Sequence, residues 1–185
     1  MLNTIAGMLS GGAAATSYES IATISVASGT SGSMQFTSIP QTYTHLQVRG
    51  IVRTNYANDT DSIYTVLNTD GAGANFYNHY LSCNGSVTQV GSNAAAIIGW
   101  RMGAGSTNTS GVFSGLVMDV LDYTNTNKYT TIRTFGGFDN NGNGTIALNS
   151  TLWKNTAAIT SLYIEFGAGS AIQYSSFALY GIKGA

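Results

Sequence analysis

Tyr43-Thr-His-Leu-Gln-Val-Arg-Gly-Ile-Val-Arg53 decides the fold. Successive side chains of a strand point to opposite faces. His45, Gln47, Arg49 and Ile51 therefore share one face, and Leu46, Val48 and Gly50 share the other, which reads as the core face. The added bulk of Ile51 and Val52 predicts a change of face or a bulge near the strand's end.

Working outward, the same period-2 reading recurs on both sides. Ser20–Val26 alternates, and Met34 and Phe36 lead to Ile39-Pro40. Ile63–Asn68 closes at Asp70-Gly71, and Phe76–Leu81 and Ala95–Met102 flank a polar loop. Val112–Tyr123 is strongly apolar, and Tyr129–Phe138 turns through Asp139-Asn-Asn-Gly-Asn-Gly144 into Thr145–Trp153. Asn-Gly pairs between apolar runs are hairpin signals. Ala157-Ala-Ile159 reads as a connector or a single helical turn, and Leu162–Phe166 and Tyr174–Ile182 complete the set. Roughly ten strands with no sustained period of 3.6 predict an all-β protein. The fold expected is an antiparallel β-sandwich of the jelly-roll kind over residues 17–185, behind a short N-terminal arm, residues 1–16.

Only 8% of the 185 residues are charged, against about 25% in an ordinary soluble domain. The polar surface must then consist of Ser, Thr, Asn, Gln and Gly, which strands and turns accept better than helix interiors do. A weakly charged surface resists association less and suits a chain packed into an assembly. The net charge is −1 with no basic stripe, which argues against a nucleic-acid partner. No apolar run reaches the ~18 residues of a membrane span. Cys83 is the one cysteine, so an intrachain disulfide is excluded, and it reads as a buried thiol acting as a small hydrophobe.

The first fifteen residues lack the Lys or Arg of a signal peptide's n-region, and Gly7 interrupts their short apolar stretch. They read instead as a docking arm. Leu2, Ile5, Ala6 and Leu9 share a helical face. Leu2, Ile5, Met8 and Leu9 are the expected anchoring side chains, with Gly11-Gly-Ala-Ala-Ala15 as a flexible hinge.

Chemistry finds little footing. His45 and His79 are the available imidazole bases, and no Gly-x-Ser-x-Gly elbow accompanies them. One cysteine and two distant histidines do not make a zinc site. Asp139, Asn141, Asn143 and Gly144 match the first half of a calcium loop, but the twelfth position is Ser150 where a bidentate Glu is needed. Asp59, Asp61 and Asp70 read as solvated loop residues. Asp119, Asp122 and Glu165 lie in or beside strands, and Asp119 is expected to pair with Arg133 or Arg49. No catalytic residue, metal or cofactor is expected. Aromatic side chains offer flat apolar faces with polar handles, and Trp100, Trp153, Tyr56 and Tyr77, with Tyr80 nearby, are the candidate glycan contacts.

Several segments carry a family likeness. Ile39-Pro-Gln-Thr-Tyr-Thr-His-Leu-Gln-Val-Arg49 followed by Arg53 resembles the opening of a group of phage virion proteins common among marine and cyanobacterial phages. Asp119–Tyr129, Gly137–Gly142, Ala157–Thr160 and Phe177–Lys183 fit the same group. The resemblance covers roughly residues 17–185 and implies a virion component with a β-sandwich fold and no catalytic residue. The leading expectation is a capsid decoration or cement protein. It would be a homo-oligomer, as a trimer, on the major capsid protein or another virion protein. The rival is a head- or tail-fibre module binding host surface glycan.

Overall fold

The computed structural model describes residues 17–94 and 97–184, and the side chains of these except 97–101. The arm residues Leu2, Ile5, Met8 and Leu9 lie outside the described residues. The described chain is built of strands joined by turns, with one short 3₁₀ turn at Gly73–Asn75. The strands are β1 (Tyr18–Ser25), β2 (Thr30–Ser31), β3 (Ser33–Phe36), β4 (His45–Val52), β5 (Thr60–Leu67), β6 (Phe76–Cys83) and β7 (Thr88–Asn93). They continue with β8 (Ile97–Ala104), β9 (Ser114–Leu121), β10 (Thr130–Asn140), β11 (Asn143–Trp153), β12 (Leu162–Phe166), β13 (Ala171–Ile172) and β14 (Ser176–Ile182).

All strand pairs are antiparallel. A large sheet runs β1-β14-β4-β9-β10-β11-β6-β7, and a smaller one runs β3-β12-β5-β8. Eight of these strands follow one rule. β1 pairs with β14, β3 with β12, β4 with β9 and β5 with β8, first with last and inward in sequence. Two further pairings, β14 with β4 and β12 with β5, close this long hairpin into two layers. The hairpins β10–β11 and β6–β7 are additions that widen the large sheet beyond β9.

The core lies between the layers. β4 contributes Leu46 and Val48, as its alternation predicted, and also Val52, against Phe177 and Leu179 of β14 and Met118 and Val120 of β9. The smaller sheet answers with Met34, Phe36, Ile63, Leu67, Leu162 and Ile164. Burial of such side chains, at about 25 cal/mol per Å² of apolar surface removed from water, is the main force joining the sheets. Gly50 keeps the face flat, because a Cβ there would lie 2.3 Å from the Phe177 ring.

The bulge expected at Ile51–Val52 is not there. β4 holds register with β14 and β9 to its end, leaving Val52 buried and Ile51 exposed. Register shifts lie instead in β1, between Ser20 and Ala22, and in the β5–β8 pairing on either side of Ile63. In β1 one residue is extra. That extra residue lets Ile21, Ala22 and Ile24 all pack against the core. Ala157–Ile159 forms no helical turn. Ile159 plugs the core and donates its N–H to the Tyr123 carbonyl at 2.9 Å.

Candidate functional site: the outer face of the large sheet

The β10–β11 hairpin turns at Asn141-Gly142, both with positive φ (54° and 97°), the pair that a two-residue primed turn requires. Asp139 Oδ1 accepts the Asn141 N–H at 2.7 Å. The half-matched calcium loop is thus this turn, and its carboxylate serves the turn's own backbone.

The two hairpin strands then present an inverted pattern. β11 sends Ala147, Asn149, Thr151 and Trp153 inward and Ile146 and Leu148 outward. The inward polar groups have partners close by, with Asn78 Nδ2 donating to Thr151 Oγ1 at 2.7 Å. The outward apolar groups have solvent. Phe135, Ile146 and Leu148 are each about half exposed, at 53%, 51% and 51%.

Register lines these side chains up across strands. One row runs Ala178, Arg49, Val117, Phe135, Leu148, Leu81 and Val90, crossing from β14 to the edge strand β7. The next row runs Ile51, Gly115, Gly137, Ile146 and Cys83. Gly115 and Gly137 face each other with no side chains, so the sheet surface dips between Ile51 and Ile146. The result is an apolar groove of about 890 Å³ with Arg49 and Asp139 at its rim. A smaller polar hollow of about 320 Å³, lined by Asp59, Thr107, Asn108 and Asn140, adjoins it at the hairpin tip. Cys83, expected to be buried, is half-buried on this outer face and lines the groove.

Polar groups fill the face beyond the groove. Arg49 packs over the rings of Tyr18 and Tyr180, at 5.5 and 5.9 Å from their centroids, and donates Nε to Gln47 Oε1 at 3.0 Å. Asp119 accepts from Gln47 Nε2 at 2.8 Å. The expected ion pair with Arg49 or Arg133 is therefore replaced by an amide contact, although Arg133 is its cross-strand neighbour. His45 Nδ1 stands 2.9 Å from the Asp122 amide nitrogen and 3.3 Å from the Asp122 carboxylate. Lys128 hydrogen-bonds that carboxylate and holds it below the usual range, against the opposing effect of burial.

The candidate glycan aromatics do not assemble. Trp153 is fully buried against Phe76, ring centroids 6.4 Å apart, because its strand turns inward there. It has no face to offer a sugar. Tyr77 is exposed on β6 beside Leu152, with the Lys154 ammonium 4.8 Å from its ring centroid. Tyr56 is half-buried in the loop beyond Val52, off the opposite end of the strands. Tyr80 lies inward, over Gly91. Trp100 stands in β8, and its side chain is outside the described set. The carboxylates are likewise dispersed, with Asp119 on the large sheet and Glu165 on the small one. Among the described residues no group of three His, Cys, Asp or Glu could hold a metal ion.

Two charges are buried against the sequence reading, which passed over Arg53 and took Asp61, a β5 residue, for a solvated loop residue. Arg53 is 7% exposed, and its guanidinium donates to four carbonyls: Thr109 and Val112 from Nη1 at 2.6 and 3.0 Å, Ser106 and Asn108 from Nη2 at 3.1 and 2.8 Å. Asp61, 3% exposed, accepts the amides of Ser62, Ala168 and Gly169 at 2.9, 3.1 and 3.0 Å. Each charge organises a Gly-rich loop. The hint lay in Gly103–Gly111 and Gly167–Gly169, loops with no apolar anchor of their own.

Comparison of the chain with protein-family models, curated proteins and solved structures gives no match.

Proposed function

We propose that this chain is a structural protein of a phage particle, a capsid decoration protein that covers the outer head surface and acts by packing, without catalysis. The observation that carries the reading is the inverted β10–β11 hairpin, which buries Asn149 and Thr151 while turning Phe135, Ile146 and Leu148 to solvent. An apolar row crossing most of a sheet's outward face marks a surface that is covered in use. Cover of that kind stabilises an assembly through buried area, with no reacting groups.

The strand order adds support. We read the first-with-last pairing of eight strands in two layers as a jelly roll, an architecture that viral capsid proteins share with lectins and cupins. Fold alone does not assign function, so the weight rests on the face. The low charge adds little repulsion against close neighbours. The partners in this reading are the major capsid protein or another virion protein and further copies of the chain, as a trimer, and the location is the virion.

The test is the copy number of the chain in purified particles of the phage that encodes it, by quantitative mass spectrometry against the major capsid protein. A near-stoichiometric ratio is expected. A handful of copies would move the chain to a tail or fibre, and none would end the virion reading.

A further inference from the structure

We infer that β7 is a self-association edge: two copies of this chain pair their β7 strands antiparallel about a twofold axis at Val90, so that the two large sheets continue as one. This contact is separate from the trimer of the reading above and does not depend on the particle assignment.

Three observations lead there. The first is an unguarded edge. Proteins blunt open sheet edges with charge, proline, bulges or very short strands. Among the described edge strands of the two sheets, β1 carries Glu19 and a register shift, β3 is four residues long, and β8 meets β5 through two register shifts. β7 has six residues in unbroken register with β6 and none of these devices. Residues 71–100 contain no Asp, Glu, Lys, Arg or Pro. Two such edges meet without charge repulsion.

The second is the direction of the backbone groups. Residue pairs of an antiparallel ladder alternate between those that exchange backbone hydrogen bonds and those that do not. The Asn84 N–H donates to the Val87 carbonyl at 3.2 Å, where the β6–β7 hairpin turns. By that alternation Gln89 and Gly91 bond to β6, and Thr88, Val90 and Ser92 turn their N–H and C=O groups to the open edge. A second copy of β7 centred on Val90 meets all three, with Val90 opposite its own counterpart and Thr88 opposite Ser92 of the second copy. The strand is thus complementary to itself, as a twofold contact requires.

The third is continuity of the apolar row. Val90 is 73% exposed and ends the outward row Phe135, Leu148, Leu81 and Val90. Pairing about Val90 joins the rows of the two copies into one band, four side chains from each. A register shifted along the strand would break the band at the seam.

The test uses the full chain with Cys83→Ser, which removes the native thiol. Added to it, Val90→Cys should cross-link to itself on mild oxidation, because paired Cα atoms of this kind stand about 5.5 Å apart, within disulfide reach. Gln89→Cys, also exposed, is the control. In this register the two copies of residue 89 are two positions out of step, about 8 Å apart, beyond that reach. A disulfide-linked dimer that forms severalfold faster for Val90→Cys is expected, and equal rates would overturn the inference. Independently, Val90→Lys and Val90→Glu each set like charges opposite one another. Each should self-associate severalfold less than the parent in sedimentation, and an equimolar mixture of the two should regain the association. A mixture no more associated than either variant alone would overturn the twofold at Val90.

Discussion

The indole Nε1 of Trp153 donates a hydrogen bond to Asp70 Oδ2 at 2.9 Å, tying the largest buried ring of the core to a carboxylate just beyond β5. Asp70 also accepts from Asn75 Nδ2 and the Ala72 amide. Burial opposes ionisation of this carboxyl, but the hydrogen bonds from Trp153, Asn75, Ala72 and Asn155 outweigh it and hold its pKa below the ordinary range. A depressed folded-state pKa gives stability that is present above the unfolded carboxyl's pKa and lost as pH falls through the folded one. Trp153→Phe removes the donor and leaves a smaller ring in the core, whose packing loss does not depend on pH. The lost hydrogen bond should add about 1.5–3 kcal/mol at pH 7, the range for hydrogen bonds to charged groups. The cost should shrink by pH 3. Urea unfolding of both proteins at the two pH values measures this, and equal penalties would show that the carboxylate is not the source.

Arg53 is the keystone of the loop between β8 and β9. Its planar fork supplies donors to four carbonyls that have no ladder to join. Arg53→Met retains the stem and orphans the Ser106, Asn108 and Val112 carbonyls, while the Thr109 carbonyl keeps the Val112 N–H, so a loss of about 3 kcal/mol or more is expected. Arg53→Lys, a point charge without the fork, should fall between. Hydrogen exchange should quicken in residues 105–112 before it quickens in β4. Uniform exchange in the variant would mean that the arginine serves the whole fold and not the loop.

Gly115 and Gly137 sit opposite each other yet should respond differently to a methyl group. A Cβ at Gly115 meets nothing within 4 Å, so Gly115→Ala should change stability by less than about 0.5 kcal/mol. Gly137 has φ +148°, and a Cβ there would lie 2.0 Å from the Thr145 carbonyl. Gly137→Ala should therefore cost about 2 kcal/mol or more. Thermal unfolding of the pair decides, and equal shifts would refute this account of the groove floor.

The strands that pair on both sides were the legible ones. β4, β5, β9 and β14 alternate cleanly because one face meets the other sheet. β7 was not legible. Thr88–Asn93 is an edge strand with exposed side chains, held by backbone pairing to β6 alone, and it carries no apolar alternation to read. β11 was legible as a strand but misleading as to face. Ile146 and Leu148 outweigh Asn149 and Thr151 in hydrophobicity, so composition alone points the wrong side inward. The orientation is set by Trp153 at the strand's end and by the Asn78–Thr151 contact across to β6. The glycan expectation at Trp153 failed for the same reason. Pairing order and the loop contacts of Arg53 depend on residues about fifty positions away, beyond any local period.

That inverted face yields the sharpest test of packing as the function. Phe135 and Leu148 are direct cross-strand partners, both about half exposed. Such a pair contributes about 0.2–1 kcal/mol to the sheet, so Leu148→Thr, which keeps a strand-favouring residue, should unfold within about 1 kcal/mol of the parent. If the outward row is a contact surface, the same substitution should lower occupancy on particles far more than it lowers stability, because truncating a buried interface residue can cost 2 kcal/mol or so in binding. Occupancy measured by mass spectrometry on particles titrated with each protein separates the two. A stability loss with undiminished occupancy would place the contact elsewhere on the molecule. Unchanged stability with occupancy reduced about tenfold or more would assign the row to the interface.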